Sequence, residues 1–183
     1  MEKPVIFSTQ MIQAIIDGRK TQTRRIINPL YKNEPYQPGD ILWVRETWAW
    51  LPYWNCESEE AGYCSGCTQV YKGEHGCFLY KASMLDWEEG WHPSILMPRK
   101  AARIFLMVKA IRAEKLQDIS ETDAIAEGVN YQWGINHKGE KTIKKVCTTV
   151  FAELWDSLNK KRGYGWNTNP WVWVIDFEKL NDI

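Results

Sequence analysis

Gly18-Arg19-Lys20-Thr21-Gln22-Thr23-Arg24-Arg25 is the stretch on which the reading of this chain turns. Before it, Met11, Ile12, Ile15 and Ile16 follow helical spacing, and Ser8 or Thr9 can cap that helix. Gly18 sits where a left-handed C-terminal stop belongs. After it, Lys20 to Ile27 alternates in period two, which predicts a strand with Thr21, Thr23 and Arg25 on one face and Lys20 at its mouth. A threonine hydroxyl becomes a nucleophile only when a nearby base takes its proton, and a desolvated, neutral lysine can do so. The same pattern also describes a solvated basic edge strand, and spacing leaves both readings open.

Working outward, Pro4 to Phe7 reads as a short strand. Pro38-Gly39-Asp40 is a turn that launches Ile41 to Trp48, the clearest strand of the first half. Residues 51–97 show little regular periodicity and read as an inserted loop. Arg103 to Arg112 is a strand. Ser120 with Asp123 forms a capping-box variant opening the helix TDAIAE, which Gly128 stops. Residues 130–145 read as a polar, lysine-rich connection. Thr148 or Thr149 opens a helix with Val150, Phe151, Leu154, Trp155 and Leu158 on one face, and Asn169 to Phe177 is a closing strand. The order, mostly strands with short helices on connections, predicts one α+β domain over residues 1–183, built as a small mixed β-barrel.

The chain has 183 residues, enough for one domain with its own core. Lys+Arg and Asp+Glu both number 23, so bulk positive charge cannot drive polyanion binding, and any nucleic-acid contact must come from a local patch. Apolar runs fall short of the ~20 residues of a membrane helix, and MEKPVIFSTQ lacks the core of a signal peptide. A soluble, cytoplasmic protein with no membrane partner is expected. Aromatic residues make up 13% of the chain and 11 of them are Trp, which favours half-buried sheet surfaces and also suits base stacking.

Gly18, Lys20 and Arg25 fit the glycine–x–lysine–x–x–glutamate–x–arginine signature of the ASCH domain family, with Thr23 in the glutamate slot. The resemblance continues in PGDILWVRETW (38–48), SETDAIAEG (120–128) and NPWVWVIDF (169–177), and is strongest to phage- and prophage-borne members. It implies a PUA-like barrel with flanking helices and a cleft for RNA or nucleosides. One bacterial branch of the family hydrolyses N4-acetylcytidine with a Lys, a Thr and a later Glu, and carries a similar Gly-Arg-Lys-Thr-x-Thr segment. By resemblance the catalytic set here is Lys20, Thr23 and Glu127, with no cofactor required. Thr23 would attack the amide carbonyl, Lys20 accept its proton, Glu127 serve the departing amine and Arg25 stabilise the oxyanion. A non-catalytic module binding RNA or a modified base is the rival reading, and a ribonuclease a third. Oligomeric state is left open.

Further candidates lie outside that segment. In Trp43-Val44-Arg45-Glu46-Thr47-Trp48, Arg45 or Glu46 could read a base edge while Trp48 stacks on the ring. The same residues would equally make an ion pair on a strand over a tryptophan core. Trp171 and Trp173 read as core. Cys56, Cys64, Cys67 and Cys77 hold a Cys-x2-Cys knuckle and could supply four thiolates to a structural zinc, or be separate reduced thiols. Basic runs at Arg19–Arg25, Arg99–Arg103, Lys144–Lys145 and Lys160–Arg162 would matter only if folding brought them together.

Overall fold

Strand propensity settles the architecture. In the computed structural model, residues 1–28, 33–52, 69–71, 74–84 and 90–180 are described, and within them ten strands and three α-helices follow one another along the chain, most of the strands in runs. The strands are β1 (Glu2–Ile6), β2 (Gln22–Ile26), β3 (Ile41–Arg45), β4 (Trp48–Pro52), β5 (Gln69–Tyr71), β6 (Glu74–Tyr80), β7 (Phe105–Lys115), β8 (Gln132–Ile135), β9 (Lys141–Lys145) and β10 (Trp171–Lys179). The helices are α1 (Thr9–Ile16), α2 (Glu121–Ala126) and α3 (Cys147–Asn159). The class is α+β, as the order of elements predicts. The expected barrel is not formed: the described strands make open sheets of five (β1-β3-β7-β10-β2), three (β4-β6-β5) and two (β8-β9). None of the described helices is long and apolar enough to cross a membrane.

The chain divides into two compact units, one of Met1–Lys3, Ala14–Leu42 and Phe105–Ile183, the other of Pro4–Gln13 and Trp43–Ile104. In the first, β10 lies between β7 and β2 and is antiparallel to both, with Asp176 opposite Gln22, Ile175 opposite Thr23, Val174 opposite Arg24 and Trp173 opposite Arg25. Val172 and Val174 turn to the face that buries Leu116, Ala124, Cys147, Phe151 and Trp155. Helix α2 starts at a true capping box: Ser120 Oγ accepts from the Asp123 amide at 3.1 Å, and the Asp123 carboxylate accepts in return from Ser120. Helix α3 has no side-chain cap of its own. Glu121 substitutes for one, accepting from the Cys147 and Thr148 amides at 2.9 and 3.0 Å and from the Thr148 hydroxyl. The Thr148 hydroxyl and these amides hold the Glu121 carboxyl below its ordinary range, against the opposing effect of burial.

Two stretches expected without regular structure are sheet. Residues 132–145 form the β8–β9 hairpin. Within 51–97, β6 pairs with β4 and β5, placing Trp48 opposite Tyr80 and Trp50 opposite Phe78. Periodicity misses both. The hairpin is exposed on its apolar positions and so lacks an in–out alternation, while β4 carries aromatics at 48 and 50 but ends in Leu51-Pro52. The expected strand from Ile41 to Trp48 is instead two, β3 and β4, broken at Glu46-Thr47.

Candidate functional site

Strand β2 is entered from α1 through a tight turn. The Arg19 and Lys20 amides both donate to the Ala14 carbonyl, at 2.8 and 2.9 Å, and Gly18 takes φ +73°. That turn delivers Lys20 to an isolated antiparallel bridge with Glu127, the residue that ends α2. Lys20 Nζ donates to Glu127 Oε2 at 2.6 Å, to the Glu127 carbonyl at 2.9 Å and to the Gln22 carbonyl at 2.7 Å. Both side chains are withdrawn from water, 0% and 3% exposed. Burial pulls the Lys20 ammonium below its ordinary pKa, and neighbouring Arg25 and Arg24 add to this, while Glu127 opposes.

Gly128 lies tight against Ala14 and Lys20. It takes φ +92°, and a Cβ there would stand 2.9 Å from the Ala14 Cβ and 3.0 Å from the Lys20 Cβ. Gly128→Ala is therefore expected to cost about 2–4 kcal/mol, from left-handed strain and overpacking together. Urea unfolding measures it, and a loss below about 1 kcal/mol would mean that the Lys20 segment relaxes freely.

A second layer surrounds the pair, and sequence reading missed it. Lys20, Gln22 and Arg24 share a face by period two, opposite the Thr23 and Arg25 face that motif reading follows. Arg24, its side chain 0% exposed, donates to Glu114 Oε1 at 2.6 Å, Gln22 Oε1 at 2.5 Å and Glu127 Oε1 at 3.3 Å, and lies 3.5 Å from Asp123. Among the described residues its Nε has no partner. Gln22 Nε2 donates to Asp176 Oδ1 at 2.6 Å and Asp123 Oδ1 at 3.1 Å. Arg112 closes the ring through Asp176, Glu114 and Asp123 at 2.9, 3.2 and 3.3 Å. Glu127 is thus held by two buried cations, which fixes its carboxylate in one orientation.

The remaining candidates fall into two groups. Thr23 is buried at 3% exposure on β2, and Arg25 is half-buried on the same strand face. Burial lowers the Arg25 pKa, with Tyr36 and Glu127 opposing. In the second unit, Arg45 donates to the Met97 carbonyl at 3.3 Å with its guanidinium 4.9 Å from the Trp43 ring. Glu46 is 2% exposed and saturated by Arg103 through a fork of 2.8 and 2.9 Å. Trp48 is also 2% exposed, packed against Tyr71, Phe78 and His92. Glu46 and Trp48 are thereby used in the packing of their unit, with the ion pair made to Arg103 and not to Arg45 of the same stretch.

Of the four cysteines considered for zinc, Cys56, Cys64 and Cys67 lie outside the described residues; Cys77 is half-buried on β6. The basic residues Lys20 and Arg24 are consumed by carboxylates, which removes them from any phosphate-tracking groove.

No family model matches the chain, and no curated protein does. Among solved structures the chain is similar to protein EF3133 from Enterococcus faecalis, described under family-model DUF984, with a TM-score of 0.44 and 10% identity over 92% of this chain and 65% of that one. It thus spans just under two thirds of that protein. It is also similar to an ASCH domain from Lactobacillus crispatus, with a TM-score of 0.42 and 10% identity over 92% of this chain and 70% of that one. A third, the hypothetical protein PH0355, gives 0.41 and 15% identity, covering 98% and 100% of the two chains. The second bears the name of the family that the sequence motifs resemble.

Proposed function

We propose that the chain is an amidohydrolase acting on an acylated nucleoside, with N4-acetylcytidine as the reference substrate. The observation that carries this reading is the buried Lys20–Glu127 pair at the entrance to the strand that bears Thr23. A lysine that burial destabilises in its charged form, hydrogen-bonded at 2.6 Å to a carboxylate, can pass its proton to that carboxylate and present a neutral amine. The Thr23 hydroxyl, on the opposite face of β2 from Lys20, then gives its proton to that amine through a bridging water as its oxygen bonds to the amide carbon. Arg25 faces the charge that develops on the carbonyl oxygen. Collapse breaks the bond from carbon to the exocyclic nitrogen, and that nitrogen takes a proton from the Lys20–Glu127 pair and leaves as cytidine. Water hydrolyses the acyl-threonine, acetate departs, and the Thr23 hydroxyl regains its proton.

The test is cytidine release from N4-acetylcytidine, followed by chromatography, for the wild type, Thr23→Val and Lys20→Met, each checked for folding by circular dichroism. Both substitutions are near-isosteric in their buried positions. The wild type is expected to release cytidine, with a rate that rises with pH through the lowered Lys20 pKa, because the base must be neutral. Both variants are expected to lose at least about a hundredfold. Release that survives Thr23→Val moves the nucleophile elsewhere. No release by folded wild type leaves a module that binds a base without cleaving it.

A further inference from the structure

The β8–β9 hairpin lies in the same unit as the Lys20–Glu127 pair, and its first strand begins shortly after Glu127. Its outward side chains are unusual for a solvent-exposed element: Trp133 is 52% exposed, Ile135 78% and Ile143 47%. Trp133 and Ile143 are opposite each other in the register, as are Ile135 and Lys141, so the three apolar groups and Lys141 share one face. Lys141 Nζ stands 4.7 Å from the centre of the Trp133 ring. Lys144 is on the other face, its side chain beside Gly134.

Charge separates this element from the rest of the chain. Across 131–146 the charged residues are Lys138, Lys141, Lys144 and Lys145 against Glu140 alone, on a chain whose formal net charge is zero. Lys145 is tied to Glu153 of α3, whereas among the described residues Lys138, Lys141 and Lys144 are in no ion pair. The loop is firmly shaped. Asn136 Oδ1 accepts from the Lys138 and Glu140 amides at 2.9 and 3.0 Å, the Asn136 amide donates to the Glu140 carbonyl at 3.0 Å, and Gly139 takes φ +79°. A preformed ribbon that shows an aromatic ring and exposed lysines to solvent loses little entropy on binding.

We propose that this hairpin docks a single-stranded nucleic acid, so that the acylated base of the proposed reaction is met within a strand rather than as a free nucleoside; this rests on that reading. The ring of Trp133 provides a stacking surface that any base can use, Ile135 and Ile143 extend it, and Lys141 and Lys144 reach phosphates on either side. A second copy of the hairpin is a poor occupant, because two surfaces of like positive charge would oppose each other.

The experiment uses the full chain and short unmodified RNA and DNA oligonucleotides, labelled at one end, in fluorescence anisotropy over a salt series. The wild type is expected to bind single strands with a negative slope of log K against log salt. Trp133→Ala should weaken binding about tenfold with that slope unchanged. Lys141→Gln with Lys144→Gln should lower the slope by about 1.4, since each phosphate contact on a single strand contributes about 0.7. All three positions are exposed, so thermal midpoints should not move. Preference between RNA and DNA identifies the strand. Binding that is absent, or equal in all variants, overturns the proposal. So does a hairpin-dependent dimer in light scattering, or hairpin-dependent capture by anionic vesicles without oligonucleotide binding. Free N4-acetylcytidine separates the two ideas. Its hydrolysis should be untouched by Trp133→Ala, so hydrolysis without strand binding sinks only the hairpin, and strand binding without hydrolysis sinks only the amidohydrolase.

Discussion

Glu127→Ala is expected to destabilise the protein by about 3–5 kcal/mol, the cost of leaving a buried charge without its partner. Two cations depend on this carboxylate, Lys20 at 2.6 Å and Arg24 at 3.3 Å, and neither side chain reaches water. Arg24 keeps Glu114 as a second anion, whereas Lys20 falls back on two main-chain carbonyls. The loss should depend on pH. In the wild type the Lys20 pKa is already lowered by burial, with Glu127 pulling it back up, so removing Glu127 drops it further. A folded-state pKa below the unfolded value of 10.5 means that folding expels a proton, and stability then rises with pH between the two values. The gap between variant and wild type should therefore be wider at pH 6 than at pH 9, read from paired urea titrations. Glu127→Gln restores a neutral acceptor and should recover part of the loss. A gap under about 1 kcal/mol, or one that does not change with pH, would mean that Lys20 reaches another anion when Glu127 is gone.

How much of this pair could be read from the sequence depends on which residues are considered. Lys20 is conspicuous because a glycine, a lysine and two threonines follow a helical run, and Glu127 becomes a candidate only through the resemblance of SETDAIAEG to the family motif. Its distance in sequence from Lys20 gives no local signal, since the pairing is made by a single bridge between a strand entrance and a helix end. The charge ring of Gln22, Arg24, Arg112, Glu114, Asp123 and Asp176 was hidden for a different reason. Asp123 reads as the capping residue of α2, the other members look like ordinary surface residues of alternating strands, and only the β2–β10–β7 register sets Gln22 against Asp176 and brings Arg24 and Arg112 to the same row. Elements with a clean period were legible: α1, β7, α2 with its capping box, α3 and β10 all fall close to where spacing places them. The β8–β9 hairpin was not, because a ribbon exposed on both faces has no buried side to impose alternation.

Trp48→Ala is the other large effect, expected at about 3–5 kcal/mol, and it separates a core role from a substrate-stacking role. The Trp48 ring makes edge contacts with Tyr71 and Phe78, each at 5.7 Å between centroids, and a tilted contact with His92 at 4.8 Å. It belongs with Phe78, Met97 and Ala101 to the buried cluster of the second unit. Removing it opens a cavity among side chains that are themselves pinned: Tyr71 has Lys100 4.6 Å from its ring, and the neighbouring strand residue Tyr80 donates to the Ala101 carbonyl at 2.8 Å. The indole N–H contributes nothing to hold it, because among the described residues that nitrogen is buried without an acceptor. Trp48→Phe, which keeps most of the apolar surface and deletes the orphaned donor, should therefore cost only about 1–2 kcal/mol. A stacking platform would behave in the opposite way, with both variants near wild-type stability and Trp48→Ala losing substrate affinity. If the two substitutions prove equally mild in urea unfolding, the ring is not the keystone of this cluster, and the aromatic density of β4 must be serving something that binds there.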